Sequence, residues 1–307
     1  MLFAILLGTG LALSGGEVLE APREVKVRLV EVINADRKAA GLGPVEYSEE
    51  LSKAADAHCR DMVEGDYVSH WNREGLKPYL RYAHAGIRDV TSENIHAVWS
   101  THFDKERIWS YLLDGHRDFM AEQPPNDGHR RSILDPAHTH VGIGVAFNQE
   151  GLRLIELFGG RYAELEPLPL RAKLGDDLTL RGRLLRASDK VYGIEIFYEP
   201  LPEPMTRQQL KSTYSYSLPL EKRMEGRRLD RGLYSDGTAG TVMTSGSLFS
   251  LPISFWKGKP GVYTLAVWLE GGGKGAYLGA TTSILVEGAA KPSIPAPSGV
   301  AQPPGGP

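Results

Sequence analysis

The chain has 307 residues, of which 41% are apolar and 24% are charged, proportions typical of a soluble globular protein. This length is enough for about two domains with separate cores. The net charge of −3 provides no basic surface for a nucleic-acid backbone, so we expect no nucleic acid among the partners. The single cysteine, Cys59, cannot form an internal disulfide, and packing and hydrogen bonds must therefore stabilise the fold.

The first residues, MLFAILLGTGLALSGG, form an apolar run that is too short to cross a bilayer comfortably as a helix. Ala12 and Ser14 are the small residues expected before a signal-peptidase cut after Ser14, although the usual positive charge ahead of the run is missing. We predict that residues 1–21 are a signal peptide or an uncleaved apolar segment. The predicted location is secreted, periplasmic or cell-envelope, with no further transmembrane domain.

Residues 22–163 have a mainly helical pattern and contain all nine histidines. Helical spacing predicts a helix from Val25 that ends near Gly41, and Ser48 is a plausible N-cap of a second helix. This second helix carries Cys59, for which we predict a small buried role rather than a nucleophilic one. Further helices are predicted within LKPYLRYAHAG and DKERIWSYLLDGHRDFMAE. The runs VGIGVAF and LRLIELFGG predict a hairpin, so this part is expected to be an α+β domain whose helices cover a small sheet.

Residues 165–287 contain six β-rich runs separated by turn residues: LTLRGRLL, YGIEIFYEP, STYSYSLPL, SLFSLPISFW, GVYTLAVWLE and ATTSILVE. The pattern predicts an all-β sandwich, and it resembles the immunoglobulin-like accessory modules of exported bacterial proteins. In GVYTLAVWLE, alternate residues beginning with Tyr263 fall on one face. The aromatic residues of this half, Tyr214 and Tyr216 among them, are expected mostly in the core. Residues 288–307, rich in Pro, Gly, Ala and Ser, are predicted to be a disordered tail.

Polar residues at three separate points of the first half are candidates for a site. His70 follows a predicted helix end, and His129 follows the helix stop PPNDG. Glu93 and Asn94 lie in SENI, which we interpret as a polar turn. This spacing is unlike the compact HExxH pattern of a zinc helix, so spacing alone does not predict a metal site. The sequence also lacks a GxSxG nucleophile elbow.

Five motifs occur in order, and together they resemble the bacterial branch of the CAP superfamily, which includes cysteine-rich secretory proteins, antigen-five allergens and plant pathogenesis-related proteins. They are VINADRKAAGLGPVEYSEEL, AHCRDM, VSHWN, SENI and DGHRRSILDPAHTHVGIGVA. The resemblance covers about residues 25–162 and does not extend beyond Leu165. It implies an α-β-α sandwich with a shallow cleft, lined by two histidines and two acidic residues, that holds zinc in some members.

The resemblance assigns the cleft residues by motif: His70 in VSHWN, Glu93 in SENI and His129 in DGHRRSI. Ser92 stands where the family usually has a glycine. The second acid, which many bacterial relatives lack, falls on Glu122. The implied zinc ligands are His70, Glu93, His129 and Glu122, and the implied ligand-binding residues are His70, Glu93, Asn94 and His129.

Two imidazoles beside carboxylates allow three roles: zinc binding with an open position for water, metal-free acid–base catalysis, or a structural hydrogen-bonded group. The leading prediction is an exported binding or interaction protein whose extracellular or cell-envelope ligand is a lipid, a glycan or a protein. The alternative is a zinc-dependent, peptidase-like hydrolase with His70 and His129 as zinc ligands and Glu93 as base or orienting group. His138 and His140 are expected to pack at the sheet edge and to share one face of a strand.

Overall fold

The computed structural model describes residues 16–101, 103–219, 222–271 and 274–288. Residues 1–15 of the predicted N-terminal segment (residues 1–21) and the predicted tail after Gly288 lie outside these ranges, whereas Leu19–Glu20 of that segment pair with β4. The elements of the first half are β1 (Leu19–Glu20), α1 (Arg23–Ala39), β2 (Glu46–Tyr47), α2 (Glu49–Gly65), α3 (Pro78–His84), β3 (Val90–Trp99), α4 (Ile108–Ala121), α5 (Gly128–Ile133), β4 (His140–Asn148) and β5 (Gly151–Gly160). Those of the second half are β6 (Ala163–Leu165), β7 (Arg171–Lys173), β8 (Leu178–Leu184), β9 (Lys190–Glu199), α6 (Arg207–Lys211), β10 (Lys222–Arg227), β11 (Met243–Ser245), β12 (Leu248–Ile253), β13 (Gly261–Gly271) and β14 (Lys274–Glu287).

The sheet of the first half has helices on both faces. Its strand order is β1-β4-β5-β3, with β2 parallel to β4, and β3 is at the edge. On one face, β4 and β5 pack against α1 and α4 through Leu29, Ile33, Leu112, Val141, Ile143, Leu152 and Leu154. On the other face, they pack against α2 through Leu51, Ala55, Cys59, Ala146, Ile155 and Leu157. The predicted mixture of helices and strands is confirmed, as is the buried position of the Cys59 thiol.

Helix α2 lies unusually close to β4 because glycines face it. A Cβ added at Gly142 would lie 2.4 Å from the Leu51 carbonyl carbon, and one at Gly144 would lie 2.4 Å from that of Ala55. The Ser48 hydroxyl accepts a hydrogen bond from the Leu51 N–H, which confirms the predicted N-cap. The close contact fixes the N-terminal half of α2 against β4.

The second half contains two sheets that share one core. Their strand orders are β10-β9-β13-β14-β7 and β11-β12-β8-β6. The predicted face of β13 is confirmed, because Tyr263, Leu265, Val267 and Leu269 are all buried in the shared core. The prediction of a strand at STYSYSLPL is wrong, because residues 213–219 have no regular secondary structure. The strand in this part of the chain is β10, which begins at Lys222. The immunoglobulin-like topology stays a prediction.

The two halves are in direct contact. Leu76, Tyr79 and Leu80 of the first half pack with Val262 and Leu285 of the second. Residues 200–219 also cross the surface of the first half, where Leu210 is fully buried among side chains of α2. None of the described helices is long and apolar enough to span a membrane.

Candidate functional site

His70 lies in the loop after α2, and Glu93 lies in the middle of β3. The interpretation of SENI as a turn is therefore wrong, because β3 pairs with β5 from Val90 to Trp99 without interruption. Polar residues within this strand are tolerated because it forms a sheet edge, where side chains from loops and short helices can satisfy them. Glu93 has a fully buried side chain, and that of His70 is 16% exposed.

Both carboxylate oxygens of Glu93 are hydrogen-bonded. Oε1 lies 2.7 Å from His70 Nδ1, and Arg81 Nη2 donates to Oε2 at 2.9 Å and to Oε1 at 3.1 Å. The Tyr82 hydroxyl also donates to Oε2. Burial alone would raise the pKa of Glu93, but the charge of Arg81 and the hydrogen bond from His70 hold it well below its usual range. Glu93 is therefore a fixed carboxylate that orients the His70 ring.

His129 and Glu122 form a second and more exposed pair. His129 Nδ1 lies 2.5 Å from Glu122 Oε1, and the backbone N–H groups of His129 and Arg130 donate to Oε2 at 3.0 and 3.4 Å. Glu122 thus both caps the first turn of α5 and orients the imidazole. The ring of Phe119 lies 4.6 Å from that of His129. The His129 and Glu122 side chains are 37% and 23% exposed.

The two pairs flank the edge strand. Glu93 points towards α3, whereas the neighbouring Asn94 donates to the His129 carbonyl at 3.1 Å on the opposite face of β3. Asn94 is 1% exposed, so the structure places it as a buried link between β3 and α5. Its predicted contact with a ligand stays a prediction.

The four residues predicted to bind zinc form two histidine–carboxylate pairs rather than one cluster. Among the described residues, no group of three or more His, Cys, Asp or Glu is arranged so that it could hold a metal ion. In each pair the carboxylate faces Nδ1, an arrangement common in zinc proteins whose histidines bind through Nε2. The imidazoles of His70 and His129 thus fit zinc as donors, while Glu93 and Glu122 fit the role of orienting groups. Zinc binding stays a prediction.

Tyr216 is a site residue that the sequence did not reveal. Its ring centroid lies 5.0 Å from that of His70, and burial together with the Glu93 charge raises the pKa of its hydroxyl. The Ser69 hydroxyl donates to the Thr213 carbonyl at 2.7 Å, and Trp71 Nε1 donates to the Ser215 carbonyl at 3.3 Å. The second half therefore covers one side of His70, and Tyr216 does not belong to the sandwich core.

The other histidines of the motif near His129 have packing roles, as predicted. His138 Nδ1 lies 2.9 Å from the Ser132 carbonyl, and its ring stacks on Phe158 with centroids 5.1 Å apart. His140 begins β4, but His138 precedes that strand, so the expectation that the two share a strand face is wrong. The stop at Asp135–Pro136 keeps the chain irregular until Thr139.

A buried histidine, His116, links α4 to Glu156 of β5 and to Asp36 of α1. Its Nδ1 donates to Glu156 at 2.7 Å and its Nε2 donates to Asp36 at 2.9 Å, so the ring is an imidazolium. Burial alone would lower the pKa of His116, but the hydrogen bonds and charges of Glu156 and Asp36 raise it above its ordinary value. The stabilisation is therefore complete below about pH 6.5 and is lost as the pH rises through the folded-state pKa.

We expect the difference in free energy of unfolding between the wild type and His116→Gln to be largest near pH 6 and to shrink towards pH 9. Urea denaturation at several pH values measures it. His140→Gln is the control, because burial and Arg161 lower the pKa of His140. The wild type should therefore gain stability over His140→Gln as the pH rises to about 6.5. If the wild type and His116→Gln differ in free energy of unfolding by the same amount at every pH, His116 is not an imidazolium in the folded protein.

The first half of the chain matches known proteins in sequence. Residues 30–158 match the family model described as CAP, cysteine-rich secretory protein family. The uncharacterized protein YkwD of Bacillus subtilis is 31% identical over 118 residues, which cover 38% of this chain and 40% of YkwD. The uncharacterized membrane protein YlbC of the same organism is 27% identical over 120 residues, covering 38% of this chain and 30% of YlbC. The chain thus spans less than half of the length of these curated relatives.

Solved structures resemble the same part of the chain. An extracellular protein containing an SCP domain from Bacillus anthracis has a TM-score of 0.35 and 17% identity, covering 43% of this chain and 40% of that protein. An outer surface protein from Borrelia burgdorferi has a TM-score of 0.39 and 17% identity, covering 47% of this chain and 99% of that protein. Both are described as extracellular or surface proteins. The family match confirms the resemblance carried by the five motifs.

Proposed function

We propose that this chain, whose residues 30–158 match the CAP family model, is an exported binding protein whose ligand contacts the edge of β3, where His70 and His129 lie. The ligand is a lipid, a glycan or a protein of the extracellular space or the cell envelope. The apolar N-terminal run and the match to a family of secretory proteins support export. In this proposal residues 22–163 form the CAP domain, and residues 165–287 form an immunoglobulin-like accessory sandwich.

The burial and hydrogen bonding of Glu93 are the observations that best support this proposal. A hydrolytic base must be able to reach water and to accept a proton, but the Glu93 side chain is fully buried and both its oxygens accept hydrogen bonds. Its low pKa makes it a poor proton acceptor at neutral pH. A rigid polar surface with two oriented imidazoles and the aromatic ring of Tyr216 is suited to recognition, because its side chains lose little conformational freedom on binding.

A zinc-dependent hydrolase is the second candidate, because a carboxylate on Nδ1 leaves Nε2 of each histidine to bind a metal. Zinc would supply a water of lowered pKa. In that case His70 and His129 would hold the ion, and Glu93 and Glu122 would orient the two rings. Such a hydrolase would need another group to accept the proton of the attacking water, because both carboxylate oxygens of Glu93 already accept hydrogen bonds.

The test measures binding of the full-length protein to three probes: phosphatidylglycerol vesicles, purified peptidoglycan and immobilised envelope proteins. We expect saturable binding to one of them, weakened by about tenfold or more in His129→Ala and in Tyr216→Ala, as for residues at the centre of an interface. His140→Gln, a histidine outside both pairs, is the matched control and should bind like the wild type.

Two results would overturn the binding proposal. The first is an absence of saturable binding to all three probes. The second is zinc-dependent cleavage of a fluorogenic peptide library by the wild type that His70→Ala and His129→Ala both abolish, which would establish the hydrolase instead.

A further inference from the structure

Three basic side chains converge on one aspartate at the C-terminal end of α2. Arg207 Nη2 of α6 contacts Asp66 Oδ2, and Lys211 Nζ lies 3.5 Å from the same oxygen. On the other side, Arg153 Nη2 of β5 lies 3.6 Å from Asp66 Oδ1. Among the described residues, Asp66 is the only carboxylate that forms an ion pair with any of the three. This group of four residues, the basic cluster, therefore has a net charge of +2.

The accessible donors of the basic cluster are only partly used. Arg207 Nε donates to the Asp66 carbonyl at 2.9 Å and Nη2 contacts the carboxylate, whereas Nη1 has no partner within the described ranges. Lys211 Nζ has three hydrogens, and its contact with Asp66 at 3.5 Å is longer than an ordinary hydrogen bond. The Arg207 and Lys211 side chains are 53% and 40% exposed, so a dissolved ligand can reach both. The excess charge and the unused donors suit an anion.

The fold holds these like charges together although they repel one another. Arg153 has a side chain that is 4% exposed, and its Nε and Nη1 donate to the carbonyls of Tyr67 and Leu152 at 3.1 and 3.0 Å. Helix α6 is anchored by Leu210, which is fully buried among side chains of α2. Asp66 is fixed as the C-cap of α2 in the left-handed conformation, with a φ of 44°. An array that is already ordered loses little conformational freedom on binding.

An exposed tryptophan, Trp99, adjoins the basic cluster. It is the last residue of β3 and is 60% exposed. Its ring lies over the Arg153 guanidinium, with Arg153 Cζ 4.6 Å from the ring centroid. The same guanidinium thus contacts the indole on one side and approaches Asp66 on the other. An indole is large, rigid and amphipathic, and it can contact the ring of a ligand whose charged group lies at α6.

The other carboxylates nearby restrict where the anion can bind. Asp61 and Glu64 of α2 are both paired with Arg73, so they do not neutralise the basic cluster. Glu150 is exposed in the turn before β5, next to the residue that pairs with Trp99. A carboxylate there repels an anion at the Trp99 end of the site. The anion is therefore expected at α6, with an uncharged part of the ligand towards Trp99.

A phosphomonoester matches this site in charge. It carries about −1.5 to −2 charges at pH 7 and offers three strong acceptor oxygens, whereas a carboxylate carries a single charge. Arginine and lysine side chains are both common phosphate ligands in proteins. We propose that Arg207 and Lys211 bind the phosphate of a phosphorylated sugar whose ring contacts Trp99. The sugar is either free or at the end of a glycan.

The experiment is calorimetric titration of the full-length protein at pH 7 and low ionic strength with glucose 6-phosphate, glucuronate and glucose. These probes share one ring and differ in charge. We expect glucose 6-phosphate to bind saturably and at least about tenfold more tightly than glucuronate, and to lose about tenfold or more in Arg207→Gln and in Lys211→Gln. Arg183→Gln is the matched control, because Arg183 is also paired with one carboxylate and has a side chain that is 55% exposed.

Asp66→Asn tests whether the phosphate supplies the negative charge that the basic cluster lacks. Asparagine tolerates the left-handed conformation and leaves the three cations without a carboxylate. We therefore expect glucose 6-phosphate to bind Asp66→Asn more tightly than the wild type, by about tenfold, and to raise its Tm by more. Equal or weaker binding would show that the ligand does not respond to the charge of the basic cluster, which overturns the proposal.

Maltotriose with a 6-phosphate on its terminal glucose distinguishes the two sources of the ligand. Tighter binding than that of glucose 6-phosphate would identify a glycan end, and equal or weaker binding would identify a free sugar. The proposal is overturned if glucose 6-phosphate does not bind at millimolar concentration, or if Arg207→Gln and Lys211→Gln both bind it like the wild type. The site contains neither His70 nor His129, so His129→Ala should retain phosphate binding even if the surface of the proposed function fails its own test.

Discussion

Replacing Glu93 by glutamine is expected to lower the free energy of unfolding by about 3–5 kcal/mol, the usual effect of removing one partner of a buried ion pair. The loss comes chiefly from Arg81, whose guanidinium would stay buried with a side chain that is only 8% exposed and no compensating charge. The His70 ring would also lose the carboxylate that orients it. Urea denaturation of the two proteins at pH 7 measures the difference.

Glu122→Gln is the matched control, because it removes the other histidine–carboxylate pair by the same chemical change. That pair is partly exposed, at 37% and 23%, so its contribution is screened by water and should be about 1 kcal/mol or less. Glutamine can also keep the backbone hydrogen bonds at the start of α5. Equal losses for Glu93→Gln and Glu122→Gln would show that the Glu93 cluster is not a buried ionic group.

The elements that the sequence predicts well are those specified by neighbouring residues. Ser48 begins α2 because its side chain can accept from an N–H three residues later, and this needs no information from elsewhere. The β4–β5 hairpin follows in the same way from two apolar runs separated by a short turn. The order of the CAP motifs assigns His70, Glu93 and His129 to one cleft, whereas their division into two histidine–carboxylate pairs is visible only in the structure.

The elements that the sequence misses depend on contacts between distant residues. SENI is rich in polar residues, a pattern that predicts a turn. In the structure, Arg81 and Tyr82 donate hydrogen bonds to Glu93, and β5 pairs with the whole of β3. The residues around Arg81 and Tyr82 do not indicate that these side chains contact Glu93, because a helix surface that carries them could equally face solvent. Alternation of polar and apolar residues can predict a strand, but it does not show which side chains of other elements pack against that strand.

Tyr216 shows the same limitation across the two halves. STYSYSLPL has the alternation of a strand, and its tyrosines would fit a sandwich core. In the structure Tyr214 is 71% exposed and Tyr216 lies on His70. The segment is anchored by Leu210, which is buried against α2, and by the bond from Ser69 to the Thr213 carbonyl. Its conformation is set by the surface of the first half rather than by its own pattern.

A second large effect is expected at the buried ion pair that joins α1 to α2. Lys26 Nζ lies 2.5 Å from Asp56 Oδ2, and the Val145 N–H of β4 donates to Asp56 Oδ1 at 2.8 Å. The two side chains are 7% and 9% exposed. Asp56→Ala would leave a buried ammonium and a buried N–H without partners, so we expect the free energy of unfolding to fall by about 3–5 kcal/mol.

The double variant Lys26→Met with Asp56→Ala distinguishes the loss of the ion pair itself from the cost of leaving one buried charge without a partner. Because methionine removes the buried ammonium, the double variant should be more stable than the sum of the single losses predicts, by about 0.5–3 kcal/mol in urea denaturation. Asp114→Ala is the control: its pair with Arg117 is 62% and 67% exposed and should contribute less than about 1 kcal/mol. Additive losses at Lys26 and Asp56 would mean that the two charges do not interact. Coupling would instead show that the buried Lys26–Asp56 pair stabilises the packing of α1 against α2.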